Sequence, residues 1–341
     1  MNSKYLSIVL AVRNDNYGGD FMARLQKCIS WNTALLEKYK IPTEFVLVNW
    51  NPIVENKNLE EQIEWAQNRQ FVSYRIIHVP SEIHHQFVNP EERKTVPLFE
   101  FIAKNVGIRR AVSEFILITN ADILFSEELI CEISNTGLQA DAYYRAIRCD
   151  FKKTESGKVD DIQNSIYKIF LPGGIQQYKN SGLFLKELNS LYKTDAFRLK
   201  LKNGVSKMAF KTGLGFIQKR YFRPEWLTHC NASGDFILTN KSNWFSIGGF
   251  PEDSYISTHV DSMMILNLFF SGLKEMIFPL PVYHQDHDRR FDFSEKNIDM
   301  ERMYKQLQTF GKKLFATQKP STFNADDNWG LKNVSLQEKI L

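Results

Sequence analysis

The sequence predicts an α/β fold: a mostly parallel central sheet with helices on both faces. Three observations predict it. Apolar runs of strand length recur without polar interruption, as in strands buried on both faces. These runs alternate with segments of helical spacing, the pattern of parallel strands joined by crossover helices. Polar clusters stand at the carboxyl ends of successive runs, where open sheets of this kind bind ligands.

The first run is LSIVLAVR (6–13), followed by the turn cluster NDNYGGD. FMARLQKCISWNTALLEKYK (21–40) has helical spacing, with apolar residues at 21, 22, 25, 28, 29, 35 and 36. TEFVLVNW (43–50) is a second buried strand, closed by Asn51-Pro52. LEEQIEWAQ (59–67) reads as a helix and VSYRIIHVP (72–80) as a third strand. PLFEFIAKNVGIRRAVS (97–113) is a helix with Leu98, Ile102 and Val106 on one side, and EFILIT (114–119) is the fourth strand. Segment 150–225 is broken by PGG and NSG and reads as an excursion over the sheet edge. A strand, a helical turn and a Gly-rich bend follow in SGDFILTNKSNWFSIGGFPED; a helix then begins near Asp261 and stops at Gly272. EMIFPLPVYHQDHD is a last strand running into a His/Asp cluster, and MYKQLQTFGKKLF is an amphipathic stretch in a charged tail. The expected divisions are 1–150, 151–227, 228–294 and 295–341.

Composition narrows the class. The 341 residues, 43% hydrophobic and 24% charged, suit one soluble α/β domain with insertions. A net charge of +4 is too mild to argue for nucleic acid, and none is expected as a partner. Cys28, Cys131, Cys149 and Cys230 show no C-x-x-C spacing and read as reduced, mostly buried thiols. MNSKYLSIVLAVRND has too short an apolar part for a secretory signal, and no apolar run reaches spanning length, so a cytoplasmic location is expected. The Gly-Gly pairs at 18–19, 173–174 and 248–249 match neither phosphate-loop nor dinucleotide fingerprints, and no G-x-S-x-G elbow is present.

The polar clusters carry the chemistry. Asp122, in FILITNADILFS, is a carboxylate at a strand end; it suits a divalent metal beside a phosphate, or it caps the turn SEEL, a role also open to Ser126. His284 and His287, with Asp286 and Asp288, form either the rest of a metal shell or a solvated loop. Asp261, before an apolar helix, is either a simple N-terminal acid or a general base toward a hydroxyl. From Ala196 to Pro224 there are eight basic residues and no acidic one; this stretch is a solvated basic loop, or faces an anionic partner at a membrane surface.

SIVLAVRND, EFVLVNWNP, AKNVGIRRAVSEFILITNADILFS and GDFILTNKSNWFSIGGFPED…HVDSMMI together resemble the nucleotide-sugar glycosyltransferases of the GT-A fold, most closely inverting family 2 and a bacterial subgroup with the pattern TN-x-DILF. The resemblance covers about 1–150 and 228–290. It implies a GT-A, Rossmann-like domain, Mn²⁺ or Mg²⁺, a nucleoside diphosphate sugar donor (UDP- or GDP-sugar) and a glycan or glycolipid acceptor, in polysaccharide or glycoconjugate synthesis. By the same resemblance Arg13, Asn14 and Asp15 border the nucleotide, and Lys104 and Asn105 approach base or diphosphate. Asp122 corresponds to the last Asp of D-x-D, Asp261 to the acidic catalytic residue that serves as base, and His284, with His287 as alternate, to a late metal-binding His. Asn120 stands in place of the first Asp of D-x-D, and Asn49 in place of the acid after the second strand. Two rivals remain: a nucleotidyltransferase, and a non-catalytic sugar-nucleotide or glycan-binding protein on a transferase scaffold.

Overall fold

The computed structural model describes residues 5–87, 96–153, 158–179, 182–252, 259–287, 300–324 and 327–341. Its strands are β1 (Leu6–Val12), β2 (Thr43–Trp50), β3 (Val72–Val79), β4 (Phe115–Ile118), β5 (Ile123–Phe125), β6 (Ala142–Phe151), β7 (Ile166–Leu171), β8 (Gly174–Gln177), β9 (Ile237–Asn240), β10 (Lys274–Gln285) and β11 (Gln337–Ile340). Among the described residues they form one sheet in the order β11-β3-β2-β1-β4-β9-β6-β10-β5, with the β7–β8 hairpin attached to β6. The α/β class expected from the sequence is the one observed. β3, β2, β1 and β4 are mutually parallel. The second half is mixed: β9 runs antiparallel to both β4 and β6, while β6 and β10 are parallel to each other.

The continuous apolar strands are explained by two cores. Ile8, Leu10, Phe45 and Leu47 point into one, with Leu25, Ile29 and Leu36 of the helix Phe21–Lys38. Val9, Val46 and Val48 point into the other, with Ile102 and Val106 of the helix Glu100–Arg110. Alternate side chains of one strand thus enter opposite layers, so the middle of each strand is apolar on both faces, and polar residues such as Ser7 and Glu44 are buried only with partners. Gly107 fixes how closely that second helix sits, because a Cβ there would lie 2.4 Å from Val9 Cγ1.

Several elements differ from expectation. The helix expected over 59–67 stops at Gln62, where Ile63 turns extended. Ile123–Phe125, beyond the expected fourth strand, forms a strand of its own: after Asn120-Ala121-Asp122 the chain crosses to the far side of the sheet and pairs with β10 as an edge strand. The 150–225 segment is ordered into the β7–β8 hairpin and a 28-residue helix, Phe184–Lys211. The tail contributes the helix Met300–Thr317, whose Gly311 abuts Pro224, and β11, which pairs antiparallel with β3.

Candidate active site

Sheet register builds the first part of the site. β10 pairs His284 with Asp150 of β6 on one side and with Ile123 of β5 on the other. The Asp122 carbonyl accepts from the Gln285 N–H at 3.1 Å, which sets Asp122 against the end of β10. Asp122 Oδ2 then lies 3.6 Å from His284 Nε2 and 3.3 Å from His287 Nε2. One ligand atom from each of the three falls within a 4.8 Å cluster. Tyr17, from the loop after β1, packs edge-on to His287 with centroids 5.6 Å apart. Asp286 is exposed, and Asp288 lies outside the described residues.

Three observations fit this cluster to a divalent cation. Asp122 Oδ1 is buried without a hydrogen-bond partner, a costly arrangement for a carboxylate oxygen. The donor set is one carboxylate and two imidazoles, which suits Mn²⁺ better than the oxygen-preferring Mg²⁺. The cap role is already filled: Ser126 Oγ accepts from Leu129 N at 3.3 Å at the start of the helix Glu127–Thr136. Burial opposes the charge on Asp122, but His284 and His287 outweigh it and hold its carboxyl below the ordinary range.

Behind the cluster runs a chain of buried polar contacts. His284 Nδ1 is 3.2 Å from Asp150 Oδ1 and 3.1 Å from Arg148 Nη2. Nδ1 thus meets an acceptor-only carboxylate and a donor-only guanidinium, and these two partners hold the ring from behind with Nε2 toward Asp122, as groups behind a metal-binding imidazole do. Arg148 donates to Asp150 at 2.6 Å and to Asp235 at 2.7 Å. Burial works against ionised Asp150, yet bonds from His284 and Arg148 bring it down to about 2. Asp235 in turn accepts from Asn120 Nδ2 at 2.7 Å, and Asn120 Oδ1 accepts from Lys104 Nζ at 2.7 Å. Lys104, fully buried, also donates to Glu100 at 2.6 Å.

This chain accounts for Asn120. Its position demands one donor, toward Asp235, and one acceptor, toward Lys104. An amide supplies both, and the partners fix its orientation because Lys only donates and ionised Asp only accepts. An aspartate would set two carboxylates at hydrogen-bond distance. Asn120→Asp is therefore expected to lower stability by about 1–3 kcal/mol in denaturant unfolding near neutral pH, with no gain in metal affinity.

Asp261 stands in the first turn of the helix Val260–Phe270. Its Oδ2 accepts from Gly234 N at 2.9 Å and its Oδ1 from Ser262 N at 2.8 Å. Desolvation raises its pKa; the two backbone bonds pull the other way without cancelling it. Gly234 adjoins Asp235, so one loop touches both Asp261 and the Asn120 chain. That loop is fastened by Arg145, whose guanidinium donates to the carbonyls of His229 (3.2 Å), Asn231 (2.9 Å), Ser233 (2.9 Å) and Phe236. Asp261 opens on a cavity of about 380 Å³, also lined by His259, Glu225, Asn231, Tyr304 and Leu307. Tyr304 donates to Glu225 at 2.8 Å and accepts from Arg223 at 2.7 Å.

The remaining expected residues fall into two groups. Arg13 bonds Asn51 O at 2.6 Å and pairs with Asp15 at 2.9 Å, tying together the loops after β1 and β2. Asn14 is buried and clips the same loops through Ile53 N (2.6 Å) and Ile53 O (2.9 Å). Asn49, next to last in β2, has Nδ2 3.4 Å from His78 Nδ1 and a buried, unpartnered Oδ1. Asn105, expected near base or diphosphate, is instead committed to the Gly-Gly bend: it bonds Phe250 N and O, both at 2.8 Å, and Glu252 at 2.9 Å. Gly249, at φ +67°, has no room for a side chain because its Cβ would lie 2.5 Å from Asn105 Oδ1.

Sequence reasoning did not single out Arg148, Asp150, Asp235, Glu100 or Tyr304. For the first two a signal existed. In AYYRAIRCDF they sit two apart, hence on one face, and charged side chains inside a buried strand call for partners.

The fold and site together define a mixed α/β protein with a cation-competent Asp/His cluster and a carboxylate-lined cavity joined by one polar chain. No family model matches the sequence, and no curated protein does. Among solved structures 129 chains match. One is a crystal structure of GalNAc-T7 with UDP, GalNAc and Mn²⁺, at TM-score 0.44 and 13% identity, the alignment covering 84% of this chain and 44% of that one. The chain thus spans less than half the length of that neighbour, and a likeness at this level bears on neither ligand nor reaction here.

Proposed function

We propose that this chain is a metal-dependent GT-A glycosyltransferase that moves a sugar from a nucleoside diphosphate donor to an acceptor hydroxyl, with inversion. One observation carries the reading. The Asp122–His284–His287 cluster is coupled, through Asp150, Arg148, Asp235 and Asn120, to the loop that orients Asp261 beside an open cavity. The parallel β3-β2-β1-β4 half-sheet supports it, since the three sequence clusters at 13–15, 49–52 and 120–122 follow the carboxyl ends of β1, β2 and β4. The same Asp/His₂ donor set takes iron(II) in oxygenases; the general-base geometry at Asp261 favours transfer.

Asp122, His284 and His287 hold the cation, which when bound neutralises charge building on the leaving diphosphate. Asp261 takes the proton of the acceptor hydroxyl as that oxygen attacks the anomeric carbon. The bond from that carbon to the diphosphate breaks on the opposite face, which inverts the centre. Gly234 N and Ser262 N hold the carboxylate in place. Glu225 with Tyr304 offers hydroxyl contacts to a sugar acceptor.

The test is incubation with a panel of sugar nucleotides and Mn²⁺. Release of nucleoside diphosphate, rising when sugar acceptors are added, is the expected result. Release of nucleoside monophosphate or net synthesis of sugar nucleotide would assign the nucleotidyltransferase alternative. Binding without turnover would assign the non-catalytic one.

A further inference from the structure

The helix Phe184–Lys211 has two unlike faces. Phe184, Leu188, Asp195, Ser206 and Ala209 are buried against the rest of the chain. Phe197, Leu201, Val205 and Met208 are 63%, 57%, 46% and 70% exposed. At 100° per residue these four occupy an arc of roughly 80°, a single apolar ridge on the outer side. Leu214, Phe216 and Tyr221 extend the exposed apolar surface into the helix Gly215–Tyr221. Lys193, Lys200, Lys207 and Lys211, all exposed, fall in a row along one side of the ridge, and Arg198 lies on the other. Among the described residues, no carboxylate is ion-paired with any of these five cations.

We propose that this face docks on an anionic lipid bilayer, with the ridge in the headgroup–acyl boundary and the lysine row against lipid phosphates. An apolar ridge beside a basic row is the surface that an interfacial helix presents, and basic side chains next to anionic lipid add to the attraction of the apolar ones. Charge decides among occupants. Between Ala196 and Pro224 the chain carries eight basic residues and no acidic one, so a symmetric contact with a second copy would oppose like charges. A phosphate backbone would leave the exposed Phe, Leu and Met side chains unmatched. Among the described residues no helix is long and apolar enough to cross a membrane, so the contact is with the surface.

The inner face ties this helix to the Asp261 cavity. Lys202 donates to Gly173 O, and Gly173 N donates to Asp195. Gly173 precedes β8, whose Ile175 lines the cavity. Asn203 bonds Leu227 O at 2.7 Å and Ser206 bonds Arg223 O at 3.0 Å. The helix thus carries the ridge on one face and holds the cavity rim on the opposite one, so docking places the rim one helix diameter (~10 Å) from the bilayer. A lipid-borne acceptor follows from this, a consequence that rests on the transferase reading; the docking itself does not.

The test is vesicle co-sedimentation of the full chain without sugar nucleotide. Binding to equimolar phosphatidylglycerol–phosphatidylcholine vesicles is expected to exceed binding to pure phosphatidylcholine by at least about tenfold and to weaken with salt. The Phe197→Asp/Leu201→Asp/Met208→Asp variant and the Lys200→Glu/Lys207→Glu/Lys211→Glu variant should each fall to background. Both should keep the circular dichroism spectrum and melting temperature, since the altered side chains are exposed. Absence of binding to the anionic vesicles, or full binding by the apolar variant, overturns the proposal. So does sedimentation equilibrium showing a dimer that only these variants dissociate. Lack of sugar-nucleotide turnover leaves vesicle binding untouched, so the two readings fail separately.

Discussion

Replacing Asp122 by alanine is expected to reduce metal-dependent donor turnover by on the order of a thousandfold, the scale on which a group stabilising developing charge acts. The fold should survive. The main-chain bond from Gln285 N to Asp122 O does not involve the side chain, and Asp122 Oδ1 has no partner to lose. What disappears is the anionic member of the cluster with His284 and His287. Steady-state kinetics with Mn²⁺ and thermal unfolding in chelator, side by side, check this. An unchanged rate would remove Asp122 from the chemistry; a collapsed melting transition would make it structural.

Asp261→Asn carries the second large effect, a fall in kcat of about 10²–10⁴-fold with little change in donor KM. The amide oxygen can accept from Gly234 N or Ser262 N but not both, so one backbone bond is lost together with the proton acceptor. The pH dependence separates this from a packing defect. Desolvation raises the Asp261 pKa, so the acid limb of the wild-type rate profile should lie above the ordinary carboxylate range. As pH falls through that limb, Asp261 protonates and turnover drops; the Asn variant should lack the limb. Stability moves oppositely. With its folded pKa above the unfolded one, Asp261 favours the folded state below the unfolded pKa, and that contribution is lost as pH rises through the folded value. At neutral pH the ionised carboxylate is a burden, but the Asn variant leaves one of the two backbone N–H donors without its acceptor, so the two effects oppose and little change in melting temperature is expected.

The parts legible in the sequence were those with local causes. β2 was readable to the residue because TEFVLVNW is buried on both faces and closed by Asn51-Pro52. The helix ending before Gly272 was readable because a Gly stop is chemistry within one turn. Failures came where a distant segment decides. ILF at 123–125 carries no strand assignment in the sequence, because its neighbour β10 comes far later in the chain. β11 is exposed, with no apolar alternation, and forms only because the β3 edge is there to pair with.

The site follows the same rule. Asp122 and the two histidines were visible as residue types at strand ends, and the sheet register brings them together. Asn120 looked like a loss from a D-x-D pattern. Its partner Asp235, 115 residues away, makes it a fitted donor–acceptor instead. Asn105 looked like a ligand contact and is a clasp on the Gly-Gly bend, because the chain from 249 to 252 folds back onto it. Tyr304 reaches the cavity only through the packing of the tail helix, which no local pattern records.

The central claim is that Asp122, His284 and His287 hold a cation that serves a nucleotide donor. Electron paramagnetic resonance of Mn²⁺ titrated into the protein, with and without nucleoside diphosphate, tests it most directly. The expected result is one bound Mn²⁺ per chain, held more tightly with the diphosphate present. It should show imidazole ¹⁴N coupling that weakens in His284→Ala and His287→Ala, and binding should be lost in Asp122→Ala. No Mn²⁺ binding in the presence of diphosphate, or binding without imidazole coupling, would contradict it.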